Sequence, residues 1–238
     1  MSKVDQLRIK LFADGADLKS ILALYENPKI QGFTTNPTLM RKAGISNYEE
    51  FGRLLLNSIP DRPISLEVFA DDQDTMEEQA LKIATWGSNV NIKIPVTNTK
   101  GEFTGPLLSK LSAAGTVLNV TAITTVEQVE QIAAALNPDV PAIVSVFAGR
   151  IADTGIDPVP IMQESLKVLQ SRPKAELLWA SPRELLNVFQ ADEIGVHIIT
   201  ATPDILAKLA LVGKDLTEYS LDTVKMFHRD AAAAGFSI

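Results

Sequence analysis

Cysteine is absent from all 238 residues, which removes disulfides, thiolate nucleophiles and zinc-thiolate sites and fits a cytosolic setting. Histidine is scarce: the only two, His197 and His228, are too isolated to be candidate metal ligands. No apolar run approaches the roughly 18 residues that span a bilayer, and the opening MSKVDQLRIK lacks the apolar core of a signal peptide. The chain therefore reads as soluble, unprocessed and cytoplasmic. Positive charge is in deficit, with 22 Lys and Arg against 29 Asp and Glu and a net charge of -7. That balance opposes nucleic acid and anionic membranes as partners. There are no low-complexity segments, no long runs of like charge and no short-period repeats, so nothing marks a linker.

What is present is material for one large core: 46% hydrophobic residues, 21% charged ones, and a mean hydropathy of +0.11. Short β-branched runs recur as IKLFAD (9–14), IQGFTTN (30–36), ISLEVFA (64–70), VNIKIPV (90–96), TVLNVTAI (116–123), AIVSVFAG (142–149), AELLWAS (175–181) and GVHIIT (195–200). Segments of helical period lie between them. In 74–86, Met76, Ala80, Ile83 and Ala84 share a face, and in 125–136 Val126, Val129, Ile132 and Leu136 do. Helix starts are expected at Asp17, at Asn47, at Thr124 or Thr125, and at Ser181-Pro182 with Glu184 in the first turn.

Strand then helix, eight times, predicts a (β/α)8 TIM barrel over 1–238 as a single domain. The main alternative, a doubly wound open sheet, usually declares a glycine-rich phosphate loop after its first strand. Neither GxGxxG nor GxxxxGK followed by Ser or Thr occurs here. After an eighth helix near 203–212, residues 217–238 are expected to form an additional C-terminal helix with an apolar stripe of Leu221, Val224, Phe227 and Ala231. That helix packs either on its own barrel or on a neighbouring subunit.

Alternation along the strands then sorts the side chains. Asn91, Lys93 and Pro95 share one face against Ile92, Ile94 and Val96. Asn119 and Thr121 share another, as do Ser145 with Phe147, Ser65 with Glu67 and Phe69, and Phe12 with Asp14. The apolar sets suit a helix-facing surface, leaving an amine, carboxylates, amides and hydroxyls to converge inside, near the strand ends where barrels keep their active sites. A structural reading pairs Lys93 with Glu67 or Asp14 and nothing more. So many polar groups at one mouth are costly to bury without a use, however, and a desolvated lysine is a nucleophile toward carbonyls.

Seven stretches resemble the transaldolases and their relatives the fructose 6-phosphate aldolases: LFADGADL, GFTTNPT, SLEVFA, NIKIPVT, LNVTAI, SVFAGRI and ASPRE. The similarity runs through nearly the whole chain, whose length is that of the short branch. It implies a class I aldolase-type barrel that uses neither cofactor nor metal. Lys93 would form a Schiff base with a ketose phosphate and Asp14 would take the C4 hydroxyl proton. Glu67 and Thr121 would hold the catalytic water. Asn36, Asn119 and Ser145 would bind sugar hydroxyls, while Arg150, Ser181 and Arg183 would grip the phosphate. Phe147 belongs to the substrate-binding set, though it is core by default; Asp14 and Asn36 have capping roles as their structural alternatives.

Aldolase members carry Gln and Tyr where this chain has Glu67 and Phe147, which favours transfer to an acceptor over simple cleavage. The implied function is therefore transfer of a dihydroxyacetone unit from fructose 6-phosphate or sedoheptulose 7-phosphate to an aldose phosphate, in the pentose phosphate pathway. Alternatives are the same transfer from a sulfonated ketose, fructose 6-phosphate aldolase activity, or a silent sugar-phosphate-binding barrel. Short members form homo-oligomers, pentamers stacked into decamers through the C-terminal helix. Arg183 is expected in a helix's first turn, where the dipole disfavours a cation and an anionic ligand would compensate. Trp179 is expected to point inward beside Ser181.

Overall fold

The computed structural model describes residues 3–235. Eight strands close into a barrel in chain order: β1 (Lys10–Asp14), β2 (Ile30–Thr34), β3 (Ile64–Glu67), β4 (Val90–Pro95), β5 (Leu118–Ile123), β6 (Ala142–Val146), β7 (Ala175–Trp179) and β8 (Ile198–Ala201). Every pairing is parallel and β8 returns to β1, giving the (β/α)8 TIM barrel with an additional C-terminal helix. The helices are α1 (Leu18–Tyr25), α2 (Pro37–Lys42), α3 (Tyr48–Ser58), α4 (Gln73–Ala84), α5 (Gly105–Ala113), α6 (Val126–Ala135), α7 (Ala148–Asp153), α8 (Pro158–Leu169), α9 (Leu186–Glu193), α10 (Pro203–Ala207) and α11 (Leu216–Ala234). Among the described residues no helix is long and apolar enough to cross a membrane.

The helix starts follow local chemistry. Asp17 accepts the backbone N–H of Ser20 at 2.9 Å, Asn47 that of Glu50 at 3.2 Å, and Thr125 forms a reciprocal capping box with Gln128. Two apolar layers result. The larger lies between strands and helices and includes Ile92, Ile94, Val120 and Val144. A smaller plug fills the floor of the barrel with Phe12, Ile143, Leu178, Ala180 and Ile198. Gly32 makes room for that plug, since a Cβ there would lie 2.4 Å from Phe12 Cζ.

Several expectations are corrected. β3 ends at Glu67, so Phe69 leaves the barrel, is 49% exposed and meets the Tyr48 ring edge-on at 4.3 Å. Ala84 is exposed rather than on the buried face of α4. α9 begins at Leu186, not just after Ser181-Pro182, which leaves Arg183 in a loop and removes the helix-dipole argument for it. Trp179 packs in the helix-facing layer while its neighbours Leu178 and Ala180 face inward. Ser181 comes back to the interior because its φ of 57° turns the chain and breaks the alternation. The eighth helix divides into α10 and a 3-10 turn at Lys208–Leu211. α11 starts one residue before Thr217, capped by Asp215, and its stripe is open: Leu221, Val224 and Phe227 are all exposed.

Candidate active site

Register brings the polar groups level. Glu67 on β3 pairs with Lys93 on β4, which pairs with Asn119 on β5, while Pro95 sits beside Thr121 and Asp14 on β1 beside Thr34 on β2. A cavity of about 530 Å³ opens over this ring at the C-terminal ends of the strands. All eleven residues singled out in the sequence line it: Asp14, Asn36, Glu67, Lys93, Asn119, Thr121, Ser145, Phe147, Arg150, Ser181 and Arg183.

At its floor the Lys93 side chain is 8% exposed. Its Nζ stands 3.1 Å from Glu67 Oε2 and donates to the Thr35 carbonyl at 3.0 Å. Asp14 accepts from Thr34 Oγ1 at 2.7 Å and from Asn36 Nδ2 at 3.4 Å. Burial pushes its carboxyl above the ordinary value, and the positive charge of Lys93 only partly opposes this. The expected capping role of Asn36 is present as well, because its Oδ1 caps α2 through Leu39 N at 2.9 Å. Opposite, Ser145 Oγ donates to Asn119 Oδ1 at 2.6 Å and Asn119 Nδ2 to Ser65 Oγ at 2.9 Å, fixing the amide in one orientation. Thr121 Oγ1 is buried and has no hydrogen-bond partner among the described residues. Beyond it Ala122, at φ 63° within a register slip, turns into the cavity.

The other end of the cavity is built by a close crossing. Gly149, in the first turn of α7, donates to the Ala180 carbonyl at 3.2 Å, and a Cβ on it would fall 1.5 Å from Ser181 O. Glycine is thus required where α7 meets the chain after β7. This approach sets Arg150, whose guanidinium lies 5.7 Å from the Phe147 ring centre, across from Ser181 and Arg183. Arg183 is paired with Asp153 on α7.

Sequence reasoning missed Thr34 and Thr200, which line the cavity and share a 2.6 Å hydroxyl contact beside Asp14. Alternation was legible there too, from Gly32 to Thr34 and from Ile198 to Thr200. It also missed Asp204 in the wall, and Tyr48 outside the cavity, whose hydroxyl donates to the Glu67 carbonyl at 2.9 Å and whose phenol is pushed above its ordinary value by burial. Chemically, an enclosed amine between two carboxylates can add to a carbonyl with proton acceptors within reach. The row of amides and hydroxyls suits a polyol chain, and two arginines suit an anionic end.

A model of the family described as transaldolase/fructose-6-phosphate aldolase matches residues 11–238. A curated protein of Listeria monocytogenes named "Probable transaldolase 2" is 36% identical over 84% of this chain and 88% of its own length. Proteins named "Probable transaldolase" in Streptococcus pyogenes and Dehalococcoides mccartyi are 33% and 32% identical, over 94% and 84% of this chain and 99% and 90% of theirs. Among solved structures, one described as "QR15, an Aldolase" superposes with a TM-score of 0.57 at 12% identity, covering 87% of this chain and 98% of that one. A dihydrodipicolinate synthase family protein from Coccidioides immitis gives 0.59 at 16%, covering 94% and 78%. At such identities the likeness is one of fold.

Proposed function

Since the chain belongs to the transaldolase/fructose-6-phosphate aldolase family, we propose that it transfers a dihydroxyacetone unit between sugar phosphates through a Schiff base on Lys93. The observation that carries this reading is the placement of the Lys93 amine: nearly enclosed, 3.1 Å from a carboxylate, at the floor of a cavity large enough for a sugar phosphate. The amine, once its proton has passed to a neighbouring carboxylate, attacks C2 of a ketose phosphate, and loss of water leaves an imine. Asp14 then takes the C4 hydroxyl proton as the C3–C4 bond breaks. The bonding pair moves into the imine to give an enamine, and an aldose phosphate departs. An acceptor aldehyde adds by the reverse steps, Asp14 returns the proton, and water hydrolyses the new imine to free the product ketose and Lys93.

The raised affinity of Asp14 for a proton suits a group that both accepts and returns one. The unpartnered Thr121 hydroxyl, with Glu67, suits a water held for the proton transfers at the imine. In this reading Asn119, Ser145 and Asn36 hold sugar hydroxyls, with Phe147 as a wall, and Arg150, Ser181 and Arg183 hold the anionic head; that all of them line one cavity supports it. This reading makes the protein a cytoplasmic, metal-independent transferase of the pentose phosphate pathway. The open stripe of α11 supports a homo-oligomer assembled through that helix.

Borohydride reduction with fructose 6-phosphate, followed by peptide mass mapping, should place a three- or six-carbon adduct on Lys93 and none in Lys93→Met. An unmodified wild-type Lys93 overturns the Schiff-base mechanism and leaves a silent binding barrel. Turnover should depend on erythrose 4-phosphate as acceptor; rapid release of free dihydroxyacetone without it would make the protein an aldolase instead.

A further inference from the structure

Arg183 enters the cavity wall with one edge of its guanidinium already taken. Its Nε donates to Asp153 Oδ1 at 2.9 Å and its Nη2 to Asp153 Oδ2, a two-point clasp between the end of α7 and the loop before α9. Asp153 does not itself line the cavity. Both side chains are about half exposed, at 50% and 51%, so the pair contributes little to folding and stability is a poor reason for it. Its effect on charge is larger. The cavity lining carries Lys93, Arg150 and Arg183 against Asp14, Glu67 and Asp204, and Asp153 adds a further negative charge next to one of the arginines. A lining with no positive surplus makes a weakly selective field, whereas a pocket tuned to a dianion would hold one.

We propose that Asp153 is a specificity-determining residue for the anionic head of the substrate. It fixes the Nε and Nη2 edge of Arg183, so the Nη1 side is left for the ligand. It also offsets part of the arginine's charge, which lowers the preference for a doubly charged head relative to a singly charged one. This rests on the assignment of Arg183 to the anionic end made above. Orientation by the clasp affects both kinds of head alike, whereas the charge of Asp153 acts on their difference, so selectivity isolates the second effect.

The test is the ratio of kcat/KM for fructose 6-phosphate to kcat/KM for 6-deoxy-6-sulfofructose at about pH 8, where the phosphate is mostly a dianion and the sulfonate a monoanion. Both donors share every chemical step, so the ratio cancels changes at Lys93. Asp153→Asn should raise it about three- to tenfold, the Coulomb effect of one charge at about 7 Å in a half-hydrated site. Asp153→Glu should keep it within about twofold of wild type. Inhibition of Lys93 trapping by inorganic phosphate and by methanesulfonate should give the same ordering without turnover. A ratio unmoved in Asp153→Asn overturns the proposal, whether both donors weaken together or neither changes. If Arg183→Ala also leaves both KM values unchanged, the assignment of the anionic end fails; if it raises them, only the role of Asp153 does.

Discussion

Replacing Gly149 by Ala should separate the two ends of the site. The added Cβ would sit 1.5 Å from Ser181 O and 2.6 Å from Ser181 C, whereas real Cβ atoms essentially never come closer than 3.0 Å to another heavy atom. The obstacle is backbone, so no rotamer change relieves it, and Ser181 is already held at a φ of 57°. α7 and the segment after β7 must therefore part by about 1.5 Å. Overpacking of this kind costs about 1–3 kcal/mol, which for a chain of this size lowers Tm by roughly 3 to 10 °C. The groups displaced are Arg150, Ser181 and Arg183. Misplacement on the order of 1 Å can cost up to about 100-fold in rate. We expect kcat/KM for fructose 6-phosphate to fall on the order of 10- to 100-fold, chiefly through KM. Borohydride trapping of Lys93 by free dihydroxyacetone, which has no anionic head, should persist within about twofold. Thermal denaturation, steady-state kinetics and intact-mass trapping measure all three. Wild-type Tm with wild-type kcat/KM would refute the tight crossing; equal loss of phosphate-free trapping would refute its confinement to the anionic end.

Asp14→Asn should trade activity for stability in a pH-dependent way. Because burial raises the native carboxyl above its unfolded value of 3.8, the folded state retains a proton that the unfolded chain has lost, and stability falls as pH rises through that window. The amide escapes this loss, so the variant's Tm should gain on wild type as pH rises from about 4 until the native carboxyl ionises, while turnover drops; a Tm difference that stays constant with pH would sink the argument. Deleting residues from Thr217 onward should reduce the mass seen by light scattering, since Leu221, Val224 and Phe227 are exposed and the truncation removes them all. An unchanged assembly would show that the helix plays no part in it.

Local pattern alone placed the amine. With Ile92 and Ile94 committed to the helix layer, a strand of period two leaves Lys93 nowhere but inside, and the same rule delivered Glu67, Asn119, Thr121, Ser145 and Asp14. Alternation is a property of a few consecutive residues, so it can be read without knowing the neighbours. It failed where the backbone departs from the strand, at Phe69 and at Ser181, whose left-handed φ returns the serine to the cavity while Trp179, two residues earlier and still in β7, keeps to the helix-facing side. Contacts that need the ring to close were not legible in any segment. Thr34 and Thr200 are 166 residues apart and meet beside Asp14 only because β1 lies between β2 and β8. The clasp of Asp153 on Arg183, and the glycine that lets α7 approach Ser181, likewise depend on where two distant loops end up. The sequence by itself determined which side chains face inward, because strand geometry is local; the tertiary structure decided which of them touch, because that depends on barrel closure and loop crossing.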